Sequence, residues 1–342
     1  MKKTDFEIVQ LLAQQYLGMV PVIILGSGAS SAYGIPGMGP LADHIAQSIN
    51  PSPQDNVKWE EFLNILPAKG LEGALTDVKF EDELTGQIVK TTRDFLLPYE
   101  SATFFDLISN SKEIALTRLF THFFRTTFTD VHVVTSNYDR LAEFAADIGQ
   151  FACCTGFSHG YIRHRANDIS IQRGKNKART VCVWKVHGSL DWFITDDNRI
   201  FSLPLAHSTP SSCTPAMITP GVTKYQRAYE EPYRTIMSHT DSALQKANSY
   251  LCIGYGFNDD HIQTKLVEKC NLSSPIIVLA RSLTKAARDI LFNQRVKKFL
   301  ALEQCDNDTI AYHKDCTSGV IIPNQNLWDL NEFLDMTIGA EL

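Results

Sequence analysis

The chain has 342 residues, 44% of them hydrophobic and 20% charged, which is enough apolar material for a large core and too little charge for an unfolded chain. Its 32 Lys and Arg against 38 Asp and Glu leave a net charge of −6, which argues against a nucleic-acid coat or a membrane-surface binder. The apolar runs fall far short of the ~20 residues of a membrane helix, acids follow directly on the N-terminal lysines, and eight cysteines are too few for a disulfide scaffold, so a cytoplasmic protein is expected.

In chain order, Val20–Leu25 is the first short, β-branched apolar run and reads as a buried strand. Residues 46–127 then show helix-period patterns (Trp59–Leu66, Thr92–Leu97, Ser101–Phe128) and no strand. Val131–Thr135 reads as a strand, Arg140–Gly149 as a helix and Val181–Val186 as a strand again. Residues 156–230, rich in Gly, Ser, Pro and charge, read as hairpins and loops. Beyond them, Tyr250–Gly254, Pro275–Leu279 and Thr309–His313 read as strands, with helices over Asp259–Cys270 and Lys285–Leu302. Strands without a polar face, alternating with helices, predict an α/β fold. The expected architecture is a Rossmann-like, doubly wound parallel sheet with an inserted helical module. The chain is expected to form one domain over 1–342: a core at about 1–45, 128–190 and 231–342, a helical insertion at about 46–127, and an irregular insertion at about 156–230.

The chemistry-bearing residues collect at strand ends. After the first strand come Gly26-Ser27-Gly28-Ala29-Ser30 and Gly34-Ile35-Pro36. Glycines there suit either a tight, closely packed turn or a backbone approach to a pyrophosphate. The dehydrogenase fingerprint is incomplete, because Ser31 occupies the third glycine position and no acidic strand end follows about twenty residues on. The second strand ends in Thr135-Ser136-Asn137-Tyr138-Asp139, where Asn and Asp suit a helix cap as well as a ligand. The third ends in Lys185-Val186-His187-Gly188-Ser189, and a later one in Gly254-Tyr255-Gly256-Phe257-Asn258-Asp259. In an open parallel sheet, ligands bind beyond the carboxyl ends of the strands, so a phosphate cradle, an amide, a carboxylate and an imidazole are all directed to one place.

This ordered set of motifs resembles the sirtuin superfamily, and most closely the bacterial sirtuin-like proteins of anti-phage defence that hydrolyse NAD. The resemblance implies NAD+ as the substrate, with Gly26, Ser27, Gly28, Ala29 and Ser30 at its phosphates. It implies Asn137 and Asp139 at the nicotinamide ribose, His187 as the general base with Gly188 beside it, and Gly254, Gly256 and Asn258 toward the adenosine half. Sirtuin deacylases carry Cys-x-x-Cys twice as a zinc module, whereas this sequence has no Cys-x-x-Cys; no metal is expected, although Cys153, Cys154, His159 and His164 form a loose group. Deacylases also place an acidic-aromatic-basic triplet after Gly-Ile-Pro, where this chain has Gly37-Met38-Gly39. Water therefore fits better than acyl-lysine as the acceptor. A deacylase or ADP-ribosyltransferase, and a non-catalytic NAD or ADP-ribose sensor, stand as alternatives.

By the same resemblance, control of the activity is expected in a homo-oligomer or a partner such as a HerA-type ATPase. Phe6–Tyr16 and Leu327–Ile338 are amphipathic, suited to packing on their own domain or to a partner. Arg163–Arg179 holds six basic residues against Asp168, a solvated hairpin or a partner-facing loop, and direct nucleic-acid binding is not expected.

Overall fold

The protein is described here as a computed structural model, covering residues 3–109, 113–166, 171–219, 230–293 and 296–340. Helix α1 (Asp5–Leu17) starts from a capping box in which the Thr4 side chain accepts from the Glu7 N–H and Glu7 returns the bond. It leads into β1 (Val22–Leu25), the single-turn helix α2 (Ser27–Ser31), and the helices α3 (Met38–Ser48), α4 (Asn56–Asp77), α5 (Asp82–Ile108) and α6 (Ala115–Phe124). Then come β2 (Asp130–Thr135), α7 (Leu141–Ile148), β3 (Ala152–Cys154), the two-residue strands β4 (Arg163–His164), β5 (Gln172–Arg173) and β6 (Asn176–Lys177), and β7 (Thr180–Lys185). The chain continues through β8 (Gly188–Thr195), β9 (Ile200–Ser202), β10 (Cys213–Met217), α8 (Tyr233–Lys246), β11 (Tyr250–Ile253), α9 (Asp260–Asn271) and β12 (Ile276–Ala280). It ends with α10 (Lys285–Arg288) and its π-helical extension to Asn293, β13 (Phe299–Cys305), β14 (Asp308–His313), β15 (Cys316–Ile322) and α11 (Leu330–Ile338).

A nine-stranded sheet of order β15-β14-β13-β12-β11-β1-β2-β7-β3 organises the molecule. All pairings from β13 to β3 are parallel, and β14 and β15 add an antiparallel edge. Strands β1, β11 and β12 are hydrophobic at every position because both faces are covered. Ile23, Leu25, Val133, Leu251 and Leu279 point to one face, under α1, α6, α7 and α11. Ile24, Val134, Cys252 and Val278 point to the other, under α8, α9 and the α10 segment. The amphipathic faces of α1 and α11 are spent here: Val9, Ala13 and Leu17 lie in one cluster with Phe333 and Leu334.

The expected helix over Lys285–Leu302 is corrected by the structure. The described helical turns run to Asn293, and Phe299–Cys305 is a strand paired with both β12 and β14. Its apolar stretch Phe299–Leu302 is a fully buried strand, a pattern that periodicity alone does not separate from a buried helix. In the helical stretch, α3, α4 and α5 form their own apolar cluster around Leu41, Ile45, Trp59, Phe62, Leu75 and Ile88. Helix α6 instead buries Leu116, Leu119, Phe120 and Phe123 on the main sheet, as the crossover from β1 to β2. The stretch expected to be loops and hairpins contains a small antiparallel sheet, β10-β8-β9-β4. Among the described residues no helix is long and apolar enough to cross a membrane.

Candidate active site

The sheet reverses its winding at β1, which lies between β2 and β11, and the ends of these strands open into one cavity. The turn after β1 packs backbone against backbone on the turn after β11. A Cβ at Gly26 would stand 2.3 Å from the Gly254 carbonyl oxygen, and one at Gly254 (φ +57°) would stand 2.3 Å from the Ala29 nitrogen. The Gly28 N–H donates to the Gly254 carbonyl at 3.1 Å. Close packing of these two turns on each other therefore accounts for the glycines at 26, 28 and 254.

The loop leaving β2 is tied down residue by residue. Thr135 donates its hydroxyl to the Leu25 carbonyl at 3.0 Å and accepts from the Asn137 N–H at 3.0 Å. The Asn137 amide donates to the Gly26 carbonyl at 2.9 Å and to Ser30 Oγ at 3.0 Å. Ser30 in turn donates to Asp139 Oδ2 at 2.7 Å, while Asp139 Oδ1 accepts from the Leu141 N–H and helps start α7. Tyr138 donates to the Ile218 carbonyl at 2.6 Å, and burial holds its hydroxyl far above its usual pKa. Arg140 reaches back to α5, where its Nη2 lies 2.5 Å from the fully buried Glu100 carboxylate. Burial alone would lower the Arg140 pKa, but Glu100 and then Asp191 outweigh it and raise it. Beneath the loop, Lys185 donates to the Asp139 carbonyl and lies 3.5 Å from Glu143.

His187 follows β7, and its Nε2 stands 2.8 Å from Asp259 Oδ2 across the cavity, with both side chains buried. Asp259 also caps α9 by accepting from the His261 N–H at 3.2 Å. The Thr284 hydroxyl donates to the Gly256 carbonyl at 2.6 Å and so steadies the loop after β11. The cavity encloses about 890 Å³ of empty space counting its open mouth. One wall is supplied by Ile35, by Met38 and Leu41 of α3 and by Leu96 of α5, so these helices border the strand ends.

Of the residues singled out in the sequence, Gly26, Ser27, Ser30, Asn137, Asp139, His187, Gly256 and Asn258 line this cavity together. Gly28, Ala29 and Gly254 line a separate cavity on the other side of the turn, which also holds Arg281, Trp328 and Asp329. Gly188 lines neither. It has φ +87°, and a Cβ there would stand 2.1 Å from the Ala216 carbonyl oxygen, so this glycine serves the packing of β8 on β10. Asp259 and Glu72 were not singled out for the site. The first reads as an ordinary helix cap, and the second sits in a helical insertion with no motif around it.

Cys153 and Cys154 are adjacent on β3 and therefore face opposite sides of the sheet, one in each main cluster, which prevents them from sharing a metal. The segment Gly156-Phe157-Ser158-His159-Gly160 has the Gly-x-Ser-x-Gly spacing of a hydrolase elbow. It lies in the loop between β3 and β4 rather than on a strand-to-helix turn, and Ser158 Oγ accepts from the His164 N–H at 2.9 Å. Within the basic stretch, residues 167–170 lie outside the described residues. Lys177 pairs with Asp130 at 2.5 Å, and Arg165 donates to the Gly156 carbonyl at 2.8 Å.

No curated protein matches the chain in sequence. Among solved structures, a Sir2 homologue mutant in complex with ADP-ribose is similar over 80% of this chain and 87% of that one, at 14% identity and a TM-score of 0.43. A Sir2 homologue in complex with NAD is similar over 88% of this chain and 89% of that one, at 12% identity and a TM-score of 0.42. Residues 131–295, the segment that carries Asn137, Asp139, His187 and Asp259, match the family described as SIR2-like domain.

Proposed function

We propose that the chain is an NAD+ glycohydrolase, cleaving the nicotinamide–ribose bond to give nicotinamide and ADP-ribose. The observation that carries this reading is the meeting of Asn137, Asp139 and His187, from the ends of separate strands, in one cavity with Ser30 and Asp259. Breaking this bond sends its electron pair to the pyridinium nitrogen and develops an oxocarbenium ion at the ribose C1′. The site must then hold the ribose, shield the cation and deliver water, all of which is work of position and electrostatics. Asn137 has its amide donors spent on Gly26 and Ser30, which leaves its carbonyl oxygen to orient water or a ribose hydroxyl. Asp139 fixes Ser30 and the loop. His187 brings its imidazole into the cavity beside Asp259, where a ring nitrogen can accept a proton from water or a ribose hydroxyl. Ser27 at the exposed start of α2, and Asn258 on the facing loop, are the polar groups offered to the rest of the dinucleotide. None of these steps calls for a metal.

Within this reading, the protein acts as the effector of an anti-phage defence system that depletes NAD, gated by a homo-oligomer or by a HerA-type ATPase. The test is to incubate the purified chain with NAD+ in H₂¹⁸O, alone and with the protein encoded beside it, and to quantify products. Equimolar nicotinamide and ¹⁸O-labelled ADP-ribose, without any acylated peptide, is the expected result. Release only in the presence of an acyl peptide would give the site to a deacylase. Binding without turnover under both conditions would make it a sensor.

A further inference from the structure

Strand β7 is hydrophobic from Val181 to Trp184 and then ends on Lys185, whose side chain is fully buried. Lys185 does not line the cavity. A buried ammonium has lost its water and must recover that interaction from the fold. Here its hydrogen bond goes to the Asp139 main-chain carbonyl, and the Glu143 carboxylate of α7 stands 3.5 Å away. The carboxylate balances the charge, while the hydrogen bond grips the loop. The carbonyl held in this way belongs to the residue that anchors the polar chain facing the cavity. Asp139 Oδ2 accepts from Ser30 Oγ at 2.7 Å, and Ser30 Oγ accepts from the Asn137 amide at 3.0 Å. The preceding carbonyl, that of Tyr138, accepts from the Leu190 N–H of β8 at 3.0 Å. Two consecutive loop carbonyls are therefore held from β7 and β8, one by main chain and one by a side chain. Only the second hold depends on residue type, since an apolar side chain of similar length fills the space without donating.

We infer that Lys185 is a positioning residue for the glycosidic cleavage. Its ammonium fixes the Asp139 carbonyl and, through Asp139 and Ser30, sets the direction in which the Asn137 carbonyl oxygen meets water or the ribose. Lys185 acts from behind the site, on the groups that face the substrate rather than on the substrate. Resting on the proposed NAD+ chemistry, this role adds to it a residue that lies outside the cavity. A misplacement of about 1 Å in such a group costs about 10²-fold in rate, and a residue away from the ligand leaves binding largely unchanged.

The test separates this role from a merely structural one by removing the two buried charges together. Lys185→Met, Glu143→Gln and the double variant are compared with wild type for kcat and KM with NAD+, each alone and with the protein encoded beside it. ADP-ribose binding and urea midpoints are followed in the same samples. Lys185→Met leaves Glu143 buried without its counter-charge, so the midpoint should fall, and the double variant should regain part of it. The kcat should drop by about 10²-fold in Lys185→Met and stay as low in the double variant, with KM within about three-fold of wild type and ADP-ribose still bound. Glu143→Gln alone should keep kcat within about three-fold of wild type, because the bond to the Asp139 carbonyl remains. Recovery of kcat together with stability in the double variant, or a kcat in Lys185→Met equal to that of wild type, overturns the positioning role and leaves the NAD+ reading standing. No turnover by the wild-type chain under either condition overturns both.

Discussion

Gly254 shows how a residue can be recognised for one reason and needed for another. Its place after an apolar strand marks it in the sequence as part of a nucleotide-facing turn. The structure uses its missing side chain to let the turn after β11 touch the turn after β1, at a left-handed backbone position. Gly254→Ala should therefore cost about 1–3 kcal/mol, the scale of overpacking a close contact, read as a fall in the urea midpoint. An unchanged midpoint would mean that these turns have room to separate. Asn137 and His187 were legible because amides and imidazoles at strand ends are few. Asp259 was not, because an Asp before a helix reads as a cap, and only the folded chain brings it to His187.

The loop Thr135–Arg140 is the element on which the site depends. Each of its side chains but one, Ser136, is bonded outside the loop, from Leu25 on β1 and Ser30 on α2 to Ile218 beyond β10 and Glu100 on α5. The Glu100 carboxylate takes the Arg140 guanidinium and also the Arg140 backbone N–H at 2.6 Å. Removing one member of a buried pair strands the other, so Glu100→Ala should destabilise by about 3–5 kcal/mol, measured by equilibrium unfolding. A loss below about 1 kcal/mol, the scale of an exposed pair, would show that this tie is dispensable. Sequence patterns gave the strands feeding this loop, because burial on both faces leaves continuous apolar runs. They misread β13, whose buried run is equally consistent with a helix, and they passed over β8, whose Asp191 and Ser189 look like loop residues. In the structure those polar groups are satisfied internally, with Ser189 and Ser202 donating to Asp191 at 2.5 and 2.6 Å.

At the scale of the whole molecule, the sheet is flanked by apolar layers, and buried charges sit beneath the site. Among them, Glu143 is pushed up from 4.5 to about 7 by burial, with Lys185 opposing the shift. Between those two values the folded chain holds a proton that the unfolded chain releases. This contribution is therefore most favourable at the acid end and is lost as pH rises through about 7. Melting curves of wild type and Glu143→Gln should diverge over that window, the variant gaining about 2 °C or more on wild type by its upper end. Parallel curves would contradict the buried placement of Glu143. The parallel sheet, the helical insertion and the convergence of strand ends were legible from the chain. The placing of α3, α4 and α5 against the cavity was not, because no local pattern near Leu41, Glu72 or Leu96 reports where a distant helix lands.

The central claim is that these strand ends break the nicotinamide–ribose bond, and the most direct measurement is nicotinamide release from NAD+ by wild type, Asn137→Ala and His187→Ala. Each assay includes the neighbouring protein, and ADP-ribose binding is followed in parallel. The account predicts turnover in wild type and a loss of about 10²-fold or more in each variant, with ADP-ribose still bound. Full turnover in both variants, or none in wild type under any of these conditions, would contradict it.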